Sequence, residues 1–357
     1  MSYSTRPHSM QLNADAGEWS YHPSAAQRPS RRDEVHPEEF IPIWDVYYAN
    51  QEAVEEYAPE EEEDDGVFIS PSGIPWKIVE GEEDHEPGYA IFMGQQLSDE
   101  WHRVRSGRIT ASNVSAVAAS WKPTKAKRAT AAQLDSLASK IAISKRTETE
   151  FMTPELMHGL LSESVARKWY ENTYNTKTHE IGFVYPLESR TALRIAEKAG
   201  IRGPGTADKP GRFARLGASP DSLVGEDGML EIKCPLHGIY GPLLKRRQAI
   251  RSGKNVPPAY KAILPKHYDQ MQMSMGIMRR KWCEYIVAAI PPTASIRREL
   301  EKAGKDMSRV AKAPDYYIER IDFNQGHYEA LVTKATAFAG TYLDHLPLET
   351  IDGLYTP

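Results

Sequence analysis

The sequence predicts an α/β (α+β) protein: a central mixed β-sheet flanked by helices. Two observations lead there. Segments of helical and strand periodicity follow one another as helices, strands, a helix, strands, a helix, with no internal repeat. That is the pattern of a sheet with helices packed on it. The 357 residues are 40% hydrophobic and 26% charged, which is the material of an ordinary globular core.

The elements follow in order. Residues 1 to about 36 show no periodicity and read as disordered. From Glu38 to Ala58 acids interleave with aromatic and aliphatic residues, as in a peptide that folds on a partner. Glu60 to Asp65 is a solvated acidic run. Residues 66–92 carry Val67-Phe68-Ile69, a Pro-Ser-Gly turn and Trp76 to Val79, the makings of a small hairpin. Ser98, followed by Asp99 and Glu100, opens a helix to about Ser106; a second runs from Ser112 to about Ala119. Lys122 to Arg128 is basic, and Ala131 to Ser144 has helical spacing. Thr153-Pro154 starts another helix, reaching about Glu171, with Leu156, Leu160, Val165 and Trp169 as its expected apolar face and Glu163 near the inner side. Strands are expected at 181–185 and 212–218, separated by an irregular segment, 187–212, with a helical start at Thr191 to Ala199. A helix from Pro265 to Met278, strands at 282–290 and 316–321, and a closing helix from Phe323 to Leu343 complete the order.

The charge is unevenly distributed. Residues 1–96 hold 21 acidic and 5 basic side chains, a net −16; residues 97–357 hold 28 and 39, a net +11. The chain therefore divides into an acidic, partly disordered extension (1–96) and a basic body (97–357), and a basic body calls for a polyanionic partner. No apolar run approaches a membrane span, and the N-terminus has no signal-peptide core. The two cysteines, Cys234 and Cys283, have no metal-ligand spacing and fit a reducing cytoplasm. His102, His158, His237 and His267 are scattered, and none reads as a metal ligand.

Residues 217–235 carry the chemistry. Pro220 biases the chain to an extended entry, and Gly225 to Gly228 is rich in turn residues. Met229 to Cys234 reads as a buried strand, on which Glu231 and Lys233 share a face while Ile232 points away. A hairpin brings Asp221 beside that face. Two carboxylates and an ammonium at one apolar spot need a reason, and a hard divalent cation such as Mg2+ is the natural one. By themselves these residues support only a metal site. Arg105, Ser112, Gln270 and Gln272 offer a charged fork with hydroxyl and amide donors suited to a phosphate, although ordinary surface polarity explains each one alone. The basic stretch 245–266, with Lys245, Arg246, Arg247, Arg251, Lys254, Lys261 and Lys266, is a candidate track for a phosphate backbone.

Ser219-Pro220-Asp221 with Leu230-Glu231-Ile232-Lys233-Cys234-Pro235 resembles the PD-(D/E)XK nuclease core, of restriction-endonuclease-like fold. More narrowly it resembles the phage lambda exonuclease / YqaJ-type viral recombinase group. Glu100 to Ser112, Gly159-Leu160-Leu161-Ser162-Glu163 and His267 to Met273 resemble that group's flanking motifs, in its order. The resemblance spans about residues 98–345; Ser222 stands where the group usually has Gly. It implies a metal site made by Asp221, Glu231, the Ile232 carbonyl and Glu163, with Lys233 positioning or activating the attacking water. It implies a 5′-phosphate pocket of Arg105, Ser112, Ser219 and Gln270. The expected activity is 5′→3′ exonuclease action on double-stranded DNA ends, with one or two Mg2+ per site (Mn2+ as substitute), leaving 3′ tails for a single-strand annealing protein. A ring-shaped homotrimer is the group's assembly. The competing expectations are an endonuclease or repair nuclease with the same core, and a DNA-end-binding protein without catalysis.

Overall fold

The computed structural model describes residues 10–13, 18–21, 67–69, 73–79, 88–120, 129–142, 153–187, 215–346 and 348. The expectations for Glu38 to Ala58, the acidic run 60–65, the basic stretch 122–128 and the helical start 191–199 fall outside these residues. Five strands come first: β1 (Met10–Asn13), β2 (Glu18–Tyr21), β3 (Val67–Ile69), β4 (Pro75–Val79) and β5 (Tyr89–Phe92). Then follow α1 (Asp99–Arg105), β6 (Ile109–Thr110), α2 (Val114–Ser120), α3 (Ala131–Ala142) and α4 (Pro154–Tyr174). The centre is β7 (Phe183–Pro186), β8 (Leu216–Gly217), β9 (Ser222–Val224) and β10 (Gly228–Lys233). The chain continues through α5 (Gly241–Arg251), α6 (Pro265–Met278), β11 (Trp282–Ala289), α7 (Ala294–Lys302), β12 (Asp315–Asp322) and α8 (Gln325–Tyr342).

The mixed sheet has the order β12-β11-β10-β9, with β10 and β11 parallel and the outer pairs antiparallel. Both central strands are buried on both faces, as a parallel pair is. One face (Met229, Cys283, Tyr285, Val287) joins the large core with residues of α2, α3, α6 and α8; the other (Leu230, Ile232, Ile286, Ala288) packs on Ala166 and Tyr170 of α4.

A second four-stranded sheet, β3-β4-β5-β7, was not foreseen as a unit. Its hairpin β3–β4 is the expected one, with Val67 opposite Lys77, but β5 then pairs along β7, Ile91 opposite Val184. Residues 67–79 and 89–92 thus belong to the body, and a division at residue 96 cuts through a sheet. Trp76, fully buried between Phe92 and Tyr185 at ring distances of 5.9 and 5.4 Å, is the physical reason. Backbone bridges between His179 and Leu223, and between Val184 and Ala218, tie the two sheets together just before and after Ser219–Asp221.

Caps set the helix starts as read. Ser98 Oγ accepts from Trp101 N at 3.1 Å, and Thr153 Oγ1 from Leu156 N at 3.2 Å. The face assigned to α4 is only partly right: Trp169 packs on the core, stacked on Tyr316, but the rest of the buried stripe differs. His158, Ser162, Ala166 and Tyr170 are buried, whereas Leu156 and Val165 are each 49% exposed. The helix turns its small and polar stripe inward because that stripe packs over β10 and β11, with Ala166 and Tyr170 against Leu230 and Ile232. Helices α5 and α7 were not anticipated; of the strand expected over 212–218, the part within the described residues is a strand at Leu216–Gly217.

Candidate active site

The hairpin β9–β10 has the register Val224–Gly228, Leu223–Met229 and Ser222–Leu230. Its turn runs through Gly225, at φ +52, a conformation that favours glycine. Arg280 clamps this turn through the carbonyls of Gly225 and Glu226. Continued by two residues, the register sets Ile232 opposite Pro220. Proline has no N–H, so the ladder stops there. Asp221 Oδ2 instead accepts the Ile232 N–H at 2.5 Å. The Ile232 carbonyl leaves on the same strand edge as its N–H and faces no ladder donor. The Pro-Asp pair thus does two things: it ends the strand, and it leaves an acidic side chain and a bare carbonyl side by side. Gln96, unremarked in the sequence, holds the entry from behind; its Nε2 donates to Ile181 O at 2.8 Å and Pro220 O at 3.2 Å.

Glu231 is fully buried. Its Oε1 meets the Lys233 ammonium, while Oε2 has no hydrogen-bond partner among the described residues. Burial pushes its pKa up to about 7, opposed by Lys233 and reinforced by Asp221. Glu163 reaches in from α4, with Oε1 accepting from Arg167 Nη2 at 3.1 Å. Its pKa rises to about 8, through burial and the Asp221 charge, against Arg167 and Lys233. Arg167 also pairs with Glu180 on the loop whose next residue back, His179, is bonded to Leu223. Burial alone would lower the Lys233 pKa, but the carboxylates around it win and hold it above the usual lysine range. Lys233 is therefore a fixed cation.

Three carboxylates face two cations, and a buried carboxylate oxygen lacks a donor. Hard oxygen donors, a bare carbonyl and excess negative charge fit a divalent hard cation. Among the described residues no three His, Cys, Asp or Glu side chains close into a cage that could hold a metal ion. The arrangement suits a cation that takes one or two carboxylates and keeps several waters, as Mg2+ does.

The residues expected to hold a phosphate come together in part. Arg105 Nη1 donates to Ser219 Oγ at 3.0 Å, and Trp101 Nε1 donates to the same oxygen at 3.1 Å. The guanidinium lies 3.9 Å over the Trp101 ring, and burial lowers its pKa to about 10. Gly217, two residues before Ser219, makes room for the Phe183 ring, which any side chain there would strike. Ser112 is exposed and shares a 2.9 Å hydrogen bond with Thr110, whose strand β6 pairs with β8 two residues before Ser219. Gln270 is half-buried on α6 with no hydrogen bond recorded to the other three. Gln272 is fully buried and bonds Asp322 O (3.0 Å) and Asn324 N (2.7 Å); it staples the β12–α8 turn and contributes nothing to the pocket. In the basic stretch, Arg246 and Arg247 are tied to Glu319 and Asp315 of β12, which leaves Lys245, Arg251, Lys254, Lys261 and Lys266 exposed.

The sequence model of the YqaJ-like viral recombinase domain matches residues 100–279, half of the chain. Among solved structures, the alkaline exonuclease LHK-Exo of Laribacter hongkongensis is similar at 21% identity, over 69% of this chain and 92% of its own, with a TM-score of 0.40. Its complex with dAMP gives the same figures. A phage related exonuclease from Haemophilus somnus 129PT is 12% identical over 67% of this chain and 94% of its own, also at a TM-score of 0.40. No curated protein matches. The match over residues 100–279, which takes in Glu163, the hairpin and the Gln-x-Gln helix, places the chain in the YqaJ-like viral recombinase family.

Proposed function

We propose that the protein is a divalent-metal-dependent exonuclease that degrades the 5′ strand of double-stranded DNA from its end and leaves a 3′ single-stranded tail. The observation that carries this reading is the spacing of two sites on one hairpin. Ser219, fastened to Arg105 and Trp101, lies two residues from Asp221. An end-reading pocket two residues from a cutting centre gives the reaction its polarity.

Asp221, Glu231 and the Ile232 carbonyl would hold Mg2+, with Glu163 completing or orienting the site. One or two Mg2+, when bound, would supply a nucleophilic hydroxide at neutral pH and offset charge on the leaving oxygen. Lys233, permanently protonated, acts as a cation toward the developing charge on the phosphate and orients the attacking water, rather than removing its proton. Glu231, buried against Lys233, fixes the height of that ammonium. Arg105, whose Nη1 already holds Ser219 Oγ, would give its remaining Nη donors to a terminal phosphate, and Ser219 adds a hydroxyl whose oxygen already receives two N–H donors, so its own proton is left for an anion. Ser112 and Gln270 close the pocket.

The exposed lysines and Arg251 around α5 and α6 form the duplex track. A ring of three copies would keep the duplex threaded, and the 3′ tail would pass to a single-strand annealing protein, for which the acidic segment that precedes Val67 is the docking or shielding segment. Linear duplexes labelled separately at each 5′ and 3′ end, with and without Mg2+, test the reading. Mg2+-dependent release of the 5′ label first supports it. Release of the 3′ label first, cutting of covalently closed circles, or end binding without nucleotide release each overturns it.

A further inference from the structure

A hydrogen-bonded chain of three rings lies beside the proposed cutting centre, and the chemistry described so far does not use it. Tyr285 on β11 sits opposite Glu231 in the β10–β11 register. Its hydroxyl is 2.8 Å from the Tyr240 hydroxyl and 2.7 Å from Nδ1 of His267. Tyr240 precedes α5, and His267 lies in the first turn of α6, three residues before Gln270 and so on the same helical face. The chain thus joins β11 to the starts of both helices. Apolar neighbours would do that as well, so the polar rings need another reason.

The direction of the protons supplies it. The Tyr240 oxygen is hydrogen-bonded to the backbone of Leu264 in the sense that stabilises a phenolate, which is an N–H donating. Either hydroxyl of the tyrosine pair can donate to the other; when Tyr240 donates to Tyr285, Tyr285 gives its proton to His267 Nδ1. Burial holds His267 neutral, with a pKa near 4, and Lys233 and Lys266 lower it further. A neutral imidazole that accepts at Nδ1 carries its proton on Nε2. Among the described residues Nε2 has no hydrogen-bond partner, and it is not one of the buried unpaired atoms.

We propose that His267 is a binding residue for the DNA backbone: its Nε2–H, set by the Tyr240–Tyr285 chain, donates to a phosphate oxygen of the strand held between Lys233 and Gln270. The residue is a neutral donor between two lysines, so it adds a directional bond without adding charge. This subsite rests on the nuclease reading for its ligand, and its test does not depend on cleavage.

Duplex binding is measured with Ca2+ in place of Mg2+, across a salt series, for wild type, His267→Gln, His267→Asn, Tyr285→Phe and Lys266→Gln. A glutamine amide reaches the Nε2 position, whereas an asparagine amide reaches only Nδ1 and keeps the Tyr285 bond. His267→Gln should bind within about threefold of wild type, and His267→Asn about tenfold more weakly, the usual worth of a hydrogen bond to a charged group. Tyr285→Phe should weaken binding in the same direction as His267→Asn. Neither His267 variant should change the slope of log Kd against log salt, while Lys266→Gln should reduce it by about 0.9. Asn rescuing binding better than Gln would show a purely structural role and overturn the proposal, as would equal binding by all His267 variants. Wild-type protein that binds duplex with these effects but releases no nucleotide in Mg2+ would refute the nuclease reading and leave this subsite standing.

Discussion

Glu231 makes a quantitative test of the buried acidic cluster possible. Its carboxylate, ordinarily near 4.5, is raised to about 7 in the folded protein because it is fully buried, with Lys233 opposing and Asp221 adding to the rise. The unfolded chain ionises first. Between about pH 4.5 and 7 the folded protein holds a proton that the unfolded chain has lost, so stability falls as pH rises through this window and levels off above it. The slope for one proton is about 1.4 kcal/mol per pH unit, which amounts to about 3 kcal/mol across the window. Glu163, raised to about 8, adds a loss in the same direction over a range extending to higher pH. Denaturant unfolding of protein treated with a chelator, at half-unit steps from pH 5 to 8.5, measures this directly. Glu231→Gln should remove about one proton's worth of slope below pH 7, and saturating Mg2+ should remove most of the loss in the wild type at pH 8. Parallel stability profiles for wild type and Glu231→Gln would refute the electrostatic account of the site.

The other predictions are briefer. Lys233→Ala should lower single-turnover cleavage about 10²–10³-fold while duplex binding changes by only a few fold, since its cation acts on charge that develops in the reaction; comparable losses in both would contradict this. Arg105→Ala should reduce the preference for 5′-phosphoryl over 5′-hydroxyl ends by about tenfold or more, the scale of a charge-assisted pair, read from initial rates on the two duplexes. Gln272→Ala should cost about 2 kcal/mol in denaturant unfolding because it strands Asp322 O and Asn324 N, and should leave end preference intact. Gln270→Ala should do the reverse.

The parts of this molecule legible in the sequence are those governed by local rules. The hairpin came from Pro220, the glycines flanking its turn and the alternation of Glu231, Ile232 and Lys233; the caps at Ser98 and Thr153 came from side-chain chemistry three residues deep. Several features depended on partners distant in the chain and were misread. The apolar stripe Leu156–Leu160–Val165 looked like the buried face of α4, yet the helix needed its small residues where it lies over the sheet, at Ala166 against Leu230 and Ile232. The boundary at residue 96 followed the change in charge, which carries no information about β5 pairing with β7 ninety residues later. Gln270 and Gln272 looked equivalent at a spacing of two, but two residues on a helix point to different sides: Gln272 is buried in the β12–α8 turn, while Gln270 stays half-buried away from it. Arg246 and Arg247 read as free cations because their acids, Glu319 and Asp315, lie some seventy residues away. Within the hairpin the sequence suggested an acidic cluster; the structure adds why Pro220 precedes Asp221, namely that it ends the ladder and bares the Ile232 carbonyl.

The central claim is that a cutting centre and a 5′-phosphate anchor share one hairpin. Single-turnover release of the terminal nucleotide, measured with saturating Mg2+ on two duplexes that differ only in a 5′-phosphoryl or 5′-hydroxyl group, tests it most directly. The account predicts release from the 5′ strand that is at least about tenfold faster with the phosphate, a gap that closes in Arg105→Ala. Equal rates on the two ends in the wild type would contradict it.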